Sequence, residues 1–354
     1  MTFPTPPLLS WSALILSTSP VIMANVSKME FPILRLPILA IFNVFSMMNP
    51  FEIINFSTSS SKCRKIVKFY FRPGCKYELQ LHIMNGTAIS FLGARNIWEY
   101  EFTSEEKEDN ILKHHESNGT KVEKLMKYSA NIAESLFNLL KRLDDLMNFK
   151  NIEFFLFEMG RYPLQNDLII QEIKNFKKPI EHFEIFSDED AGNDIIDMLN
   201  HVNGIKSLDL TASFNKDFEL SCPPNLSWLY IHDSKWINLT KLLELNSSEI
   251  QIRDHELTDM DLCAFFQSWI SSESHSKLEK IEIHSVERET FENISQTLPH
   301  EEDDYSVVLK VNRLKTREVQ LESFYIKRND GTWATIYLVQ NRRPDGLTLG
   351  MLVG

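Results

Sequence analysis

Residues 180–210 read IEHFEIFSDEDAGNDIIDMLNHVNGIKSLDL. The run opens and closes on one six-residue pattern, apolar-x-x-apolar-x-apolar: Ile180, Phe183 and Ile185, then Ile205, Leu208 and Leu210. Alternation at the last two positions predicts a short strand with one buried face, and the longer stretch between the copies predicts a helix. The pattern recurs on both sides, as Ile152/Phe155/Phe157, Leu226/Leu229/Ile231 and Leu278/Ile281/Ile283, with a degenerate copy in which Ser247 precedes Ile250 and Ile252. Central positions 155, 183, 208, 229, 250 and 281 lie 28, 25, 21, 21 and 31 residues apart. One strand–helix unit cannot bury its apolar face alone, whereas stacked neighbours share a core.

This row and period resemble a leucine-rich repeat, whose units run about 20–29 residues, and the uneven spacing makes the array a diverged one. The helical partners are readable as stripes: Trp236, Leu239, Leu242 and Leu243; then Leu257, Met260, Leu262, Phe265, Phe266 and Trp269 behind the cap-like Thr258-Asp259; then Phe291, Ile294 and Leu298. Further on, Phe324–Ile326 and Trp333–Leu338 flank Asn329-Asp330-Gly331, a hairpin expected to cap the last repeat. Ahead of the array, 77–102 alternates (Tyr77, Leu79, Leu81, Ile83; Ile89, Phe91; Trp98, Tyr100, Phe102), with a turn signal at Asn85-Gly86, and reads as a strand meander. The charged stretch 103–120 reads as a loop. Residues 121–147, with Val122, Leu125, Met126, Ile132, Leu136, Leu139, Leu140 and Leu143, read as one connecting helix.

Residues 31–72 form a separate apolar helical unit, too small to bury all its own side chains. Leu36-Pro37 opens a helix; Ile41, Val44, Phe45 and Met48 fall on one face of it. Asn49-Pro50 breaks it, and Glu52, Ile53, Ile54 and Phe56 begin a second helix with its acid in the first turn. With the basic Lys62, Arg64 and Lys65 that follow, this order of residues resembles the F-box; Leu39 stands where an acid is usual, and Ser60 where a small aliphatic residue is usual. The resemblance implies docking to the Skp-type adaptor of an SCF ubiquitin ligase, and through it to a cullin. The residues it nominates, for the docking face or the packing beneath it, are Leu36, Pro37, Ile41, Val44, Phe45, Met48, Pro50, Ile53 and Ile54. A second set of segments resembles the nematode F-box-associated domain of type 2: DSKWINLTKLLEL (233–245), ELTDMDLCAFFQSWISSESH (256–275), LPHEEDD (298–304) and IKRNDGTWATIYL (326–338). That resemblance covers most of 200–354 and implies recruitment of a protein substrate.

Composition is that of a globular soluble protein. The chain has 354 residues, 43% apolar and 24% charged, long enough for one large or two ordinary domains. A net charge of −12 argues against nucleic-acid binding. The basic run 62–76, six Lys or Arg and no acid, suits an acidic partner or a solvated helix face. Cys63, Cys75, Cys222 and Cys263 lie far apart, which disfavours zinc and disulfides and fits reduced thiols in the cytoplasm or nucleus. Residues 1–30 are apolar but interrupted by proline and serine, and lack the basic start of a signal peptide. Eight N-x-S/T sequons, at Asn25, Asn55, Asn85, Asn118, Asn225, Asn238, Asn246 and Asn293, leave a secreted glycoprotein as one alternative, although a glycan on Asn55 would block docking. No phosphate loop, HExxH or GxSxG occurs, and Glu301–Asp304 lacks the spacing of a calcium loop, so no cofactor, metal or catalytic role is expected.

The expected organisation is therefore α+β or α/β. An apolar extension (1–30) precedes the F-box (31–72), then a strand meander, charged loop and connecting helix (73–149), then a leucine-rich-repeat-like strand–helix solenoid ending in a β-hairpin (150–354). The expected function is non-catalytic: a substrate receptor of an SCF-type ligase. The alternatives are a leucine-rich-repeat-like protein-binding module with no ligase role and, behind it, the secreted glycoprotein.

Overall fold

A computed structural model describes residues 33–188, 191–302, 308–311, 315–318, 322–340 and 346–354. The expected extension at 1–30 lies outside the described residues, as do Asn25 and part of each acidic run at 188–190 and 301–304. The chain divides into two compact units, Met1–Met47 and Met48–Gly354.

In the first unit a 3₁₀ turn, Ile33–Arg35, leads into helix α1, Ile38–Met47. Pro37 sits just before α1 and its carbonyl accepts the amide of Ile41 at 3.1 Å, so the ring with no N–H starts the helix without loss. Ile41 and Phe45, one turn apart, are buried.

In the second unit α2 (Pro50–Thr58) starts where proline ends α1. Asn49 accepts the Glu52 amide and Glu52 accepts the Asn49 amide, both at 2.9 Å, a capping box contributing about 1 kcal/mol. α3 (Ser61–Tyr70) is capped by Ser60. Strands β1 (Glu78–Ile83), β2 (Ala88–Leu92) and β3 (Asn96–Thr103) form the antiparallel meander.

The stretch expected as loop and then helix differs. Within 103–120 lies strand β4, Leu112–Ser117, and Thr120–Tyr128 is strand β5; the helix α4 begins only at Ile132 and runs to Met147. β5 pairs parallel with β3 and antiparallel with β4. Its period-two set is Val122, Lys124 and Met126, and the lysine hides the alternation. Lys124 lies 3.2 Å from Glu99 and 2.8 Å from Glu101 on β3, a charge satisfied only by the neighbouring strand. Asn118 and Gly119, at φ 51° and 77°, form the β4–β5 turn.

Six parallel strands follow in chain order: β6 (Ile152–Glu158), β7 (Ile180–Ser187), β8 (Ser207–Ala212), β9 (Trp228–Ile231), β10 (Glu249–Ile252) and β11 (Lys280–Val286). Helices α5 (Asn166–Asn175), α6 (Gly192–Leu199), α7 (Leu239–Glu244), α8 (Asp259–Ile270) and α9 (Arg288–Thr297) lie in the connections or after the last strand. Strands advancing in one direction through right-handed crossovers bring every connecting helix to the same face. That face holds two buried rows in register, Leu81–Phe155–Phe183–Leu208–Leu229–Ile250–Ile281 and Ile83–Phe157–Ile185–Leu210–Ile231–Ile252–Ile283. Each such side chain contributes about 1.5–3 kcal/mol by burial. One expected helix is missing. The β8–β9 connection carries none, and stacked Phe214 and Phe218 (centroids 3.8 Å apart) fill the gap against the edge of Trp236. Trp236 precedes α7 rather than belonging to it.

The remaining strands are β12 (Glu301–Glu302), β13 (Val308–Val311), β14 (Lys315–Glu318), β15 (Glu322–Lys327), β16 (Trp333–Gln340) and β17 (Leu347–Val353). The expected hairpin is β15–β16, but it does not pair with β11. β17, unread in the sequence, pairs antiparallel with β11 on one side and β16 on the other. The result is helices at the F-box position followed by a mixed α/β sheet, ordered β12-β15-β16-β17-β11-β10-β9-β8-β7-β6-β1-β2-β3-β5-β4, with β13–β14 paired separately.

Candidate functional site

The nominated docking residues separate by depth. Ile41, Phe45, Pro50 and Ile53 are buried; Leu36, Val44, Met48 and Ile54 are half-buried; Pro37 is exposed. Three apolar side chains that were not nominated are open to solvent: Ile38, Leu39 (73% exposed) and Met47 (78% exposed). A large apolar side chain that stays exposed on a helix with its own buried stripe is the signal that marks them. Leu39, read in the sequence only as a departure from the F-box pattern, is among them.

The basic helix α3 is only partly available to a partner. Arg64 and Lys68 each contact Asp145 of α4 at 2.6 Å, and these contacts hold the Asp145 carboxyl below its usual range. Lys62 and Lys65 are exposed, with no ion pair among the described residues.

The second candidate surface is the sheet face opposite the buried rows, where alternate residues of the parallel strands stay half-exposed. Registered neighbours place Phe154, His182, Ser207, Trp228, Glu249 and Lys280 in one row, and Leu156, Glu184, Asp209, Tyr230, Gln251 and Glu282 in the next. Aromatic rings run along this face: Phe154 stacks on His182 (5.0 Å, 14°), His182 on Trp228 (5.8 Å, 26°), and Tyr230 packs against Trp228 and His232. Glu184 and Asp209 are direct cross-strand partners. Burial, and then the charge of Glu184, push the Asp209 carboxyl up to about 7; burial also raises Glu184. Glu282 is held by Lys280 (2.8 Å) and by the Tyr337 hydroxyl (3.0 Å).

The tryptophans of the sequence segments 233–245 and 256–275 serve the core. Trp236 donates to the Asp233 carbonyl at 3.1 Å, Ser234 donates to the Arg253 carbonyl at 2.6 Å, and Asn238 caps α7. Trp269 is fully buried beneath the guanidinium of Arg328, which reaches back from the β15–β16 hairpin to Ser272 (3.2 Å) and the Ser274 carbonyl (3.3 Å).

Residues 33–69 match the F-box domain family, and residues 217–283 match the family described as F-box associated. The chain is an F-box protein with an F-box-associated domain. F-box and F-box-associated domains together indicate an SCF-type substrate-recognition subunit in general, a class of typically non-catalytic receptor subunits. Within this F-box protein the associated-domain match takes in β9, β10, α7 and α8 and so includes the Trp236 and Trp269 elements, whereas 298–304 and the β15–β16 hairpin lie beyond it. No curated protein and no solved structure gives a match to the chain. Among the described residues no group of three His, Cys, Asp or Glu side chains could hold a metal ion, the four cysteines are free, and no helix is long and apolar enough to cross a membrane.

Proposed function

We propose that this F-box protein is the substrate receptor of a cullin–RING ubiquitin ligase, acting in the cytoplasm or nucleus. Residues 31–72 dock the Skp-type adaptor, and through it the cullin. On the first unit the accessible side chains Leu36, Pro37, Ile38, Leu39 and Met47 make the contact, with Val44 at its margin; on the second unit Met48 and Ile54 are the candidates for contact. Ile41 and Phe45 are the buried side chains that support α1, and Pro50 and Ile53 are buried side chains that support α2. The strand–helix array from residue 150 is read as a diverged leucine-rich-repeat-like solenoid that recruits a protein substrate. The receptor holds that substrate near the charged conjugating enzyme, and proximity is its contribution to the rate. The observation that carries this reading is the occurrence, in this order on one chain, of an F-box match and an F-box-associated match.

A specific interface of this kind buries roughly 1,600 Å² and a few anchors dominate it, each costing about 2 kcal/mol or more on truncation. Leu36→Ala with Pro37→Ala is therefore expected to lower adaptor co-purification by at least about tenfold, with the thermal unfolding of the sheet unit unchanged. Undiminished adaptor binding by the double variant would overturn the assignment.

A further inference from the structure

We propose that the open sheet face takes an arginine side chain from an extended segment of the protein substrate, the guanidinium lying between Glu184 and Asp209 and against the rings of Trp228 and Tyr230. The inference deepens the receptor reading and rests on it for the identity of the guest as substrate. Its physical basis is a conflict that the fold does not relieve. Glu184 and Asp209 are registered partners on adjacent parallel strands, so both carboxylates stand on one face with like charges side by side. Other acids on the strands of this sheet have cations within reach: Lys280 on Glu282, and Lys124 on Glu99 and Glu101. Among the described residues neither Glu184 nor Asp209 has one; the sole polar contact of this pair is the Thr211 hydroxyl, 3.5 Å from Asp209.

The surroundings select the kind of cation. Neighbouring strands lie about 4.8 Å apart, a span that one planar guanidinium, with two donor edges, can bridge. The residues flanking the pair are aromatic: Tyr230 is the registered neighbour of Asp209, and the Phe154–His182–Trp228 stack runs beside it. A guanidinium stacks on such rings and is weakly hydrated, whereas a lysine ammonium is a compact, strongly hydrated point charge that can use only part of this arrangement. Charge complementarity with a chain of net charge −12 works in the same direction and speeds encounter.

The test uses the full chain and fluorescein-labelled nonapeptide pools that differ only at a fixed central residue: arginine, citrulline, lysine or glutamate. Anisotropy titrations are expected to show the arginine pool binding at least tenfold more tightly than citrulline and severalfold more tightly than lysine, with no binding of the glutamate pool. Glu184→Gln combined with Asp209→Asn keeps the shape, removes the repulsion and folds at least as well; it is expected to abolish the arginine–citrulline difference. Trp228→Ala is expected to weaken the arginine pool by about tenfold. Equal binding of arginine and citrulline pools, equal binding of arginine and lysine pools, or an arginine preference that survives in the double variant would each overturn the proposal. Adaptor co-purification is read on the same preparations. Loss of the arginine preference with adaptor binding intact removes this proposal alone, and absence of adaptor binding in the unmodified chain removes the receptor reading alone.

Discussion

Glu184 and Asp209 carry the clearest residue-scale consequence. An unfolded aspartate titrates near 3.9, whereas the folded Asp209 carboxyl is pushed up to about 7 by burial and by Glu184. Between those values the native state holds a proton that the unfolded chain releases. The stability tied to Asp209 is therefore complete below about pH 4 and is lost as pH rises through about 7. Asp209→Asn is expected to remove this slope and to raise stability at pH 8 by roughly 2–4 kcal/mol, read by urea unfolding at pH 5 and pH 8. An unchanged pH slope in the variant would contradict the assignment. Gly350 shows a different residue-scale constraint. It lies in register between Tyr337 and Glu282, and a Cβ there would collide with the Tyr337 ring that crosses over it to reach Glu282. Neither role is visible in one dimension, because each depends on which side chain the next strand brings alongside.

At the scale of elements, the β15–β16 hairpin is tied to the end of α8 by one buried cation. Arg328 is 6% exposed, lies 5.3 Å from the Trp269 ring centroid, and donates to Ser272 and to the Ser274 carbonyl; the Asn329 amide adds a bond to the Ile270 carbonyl at 2.9 Å. Arg328→Ala leaves buried carbonyls without donors and uncovers Trp269, so a loss of about 2–4 kcal/mol is expected. Thermal unfolding measures it, and a red shift of tryptophan emission should accompany it. Arg328→Lys, which keeps the charge but not the fork, should restore only part of the loss. Sequence periodicity located α1, α2, α8, α9 and all six parallel strands, β10 from a degenerate copy of the pattern. It misassigned β5 because Lys124 interrupts the alternation, and it passed over β4, none of whose side chains is buried. The expected helix after β8 failed because three aromatic rings fill the space a helix would occupy.

At the scale of the whole molecule, β17 joins the parallel array to the terminal antiparallel strands. It supplies Leu349 and Met351 to the two buried rows, beside Ile283 and Ile281. Deletion of residues 347–354 exposes the edges of both β11 and β16. The truncated chain is expected to lose cooperative unfolding and to aggregate, followed by light scattering alongside circular dichroism. Soluble, cooperatively unfolding truncated protein would show that β17 is dispensable. At the opposite end the edge strand β4 presents Lys113, His114, His115 and Glu116, charged or polar side chains that discourage edge pairing.

By itself the sequence determined the repeated strand pattern, the helix starts at Pro37 and Asn49-Pro50, and the F-box and F-box-associated segments, because propensity, capping and apolar spacing act within a few residues along the chain. The tertiary structure alone decided which apolar residues of α1 stay exposed, how β17 joins the sheet, and that Glu184, Asp209, Trp228 and Tyr230 meet on one face. Glu184 and Asp209 lie in the stretch quoted first, and Trp228 and Tyr230 in the next copy of the pattern, all at positions between the apolar ones. Their proximity depends on strand register across connections of unequal length, and register is fixed by packing of the buried rows on the other side of the sheet.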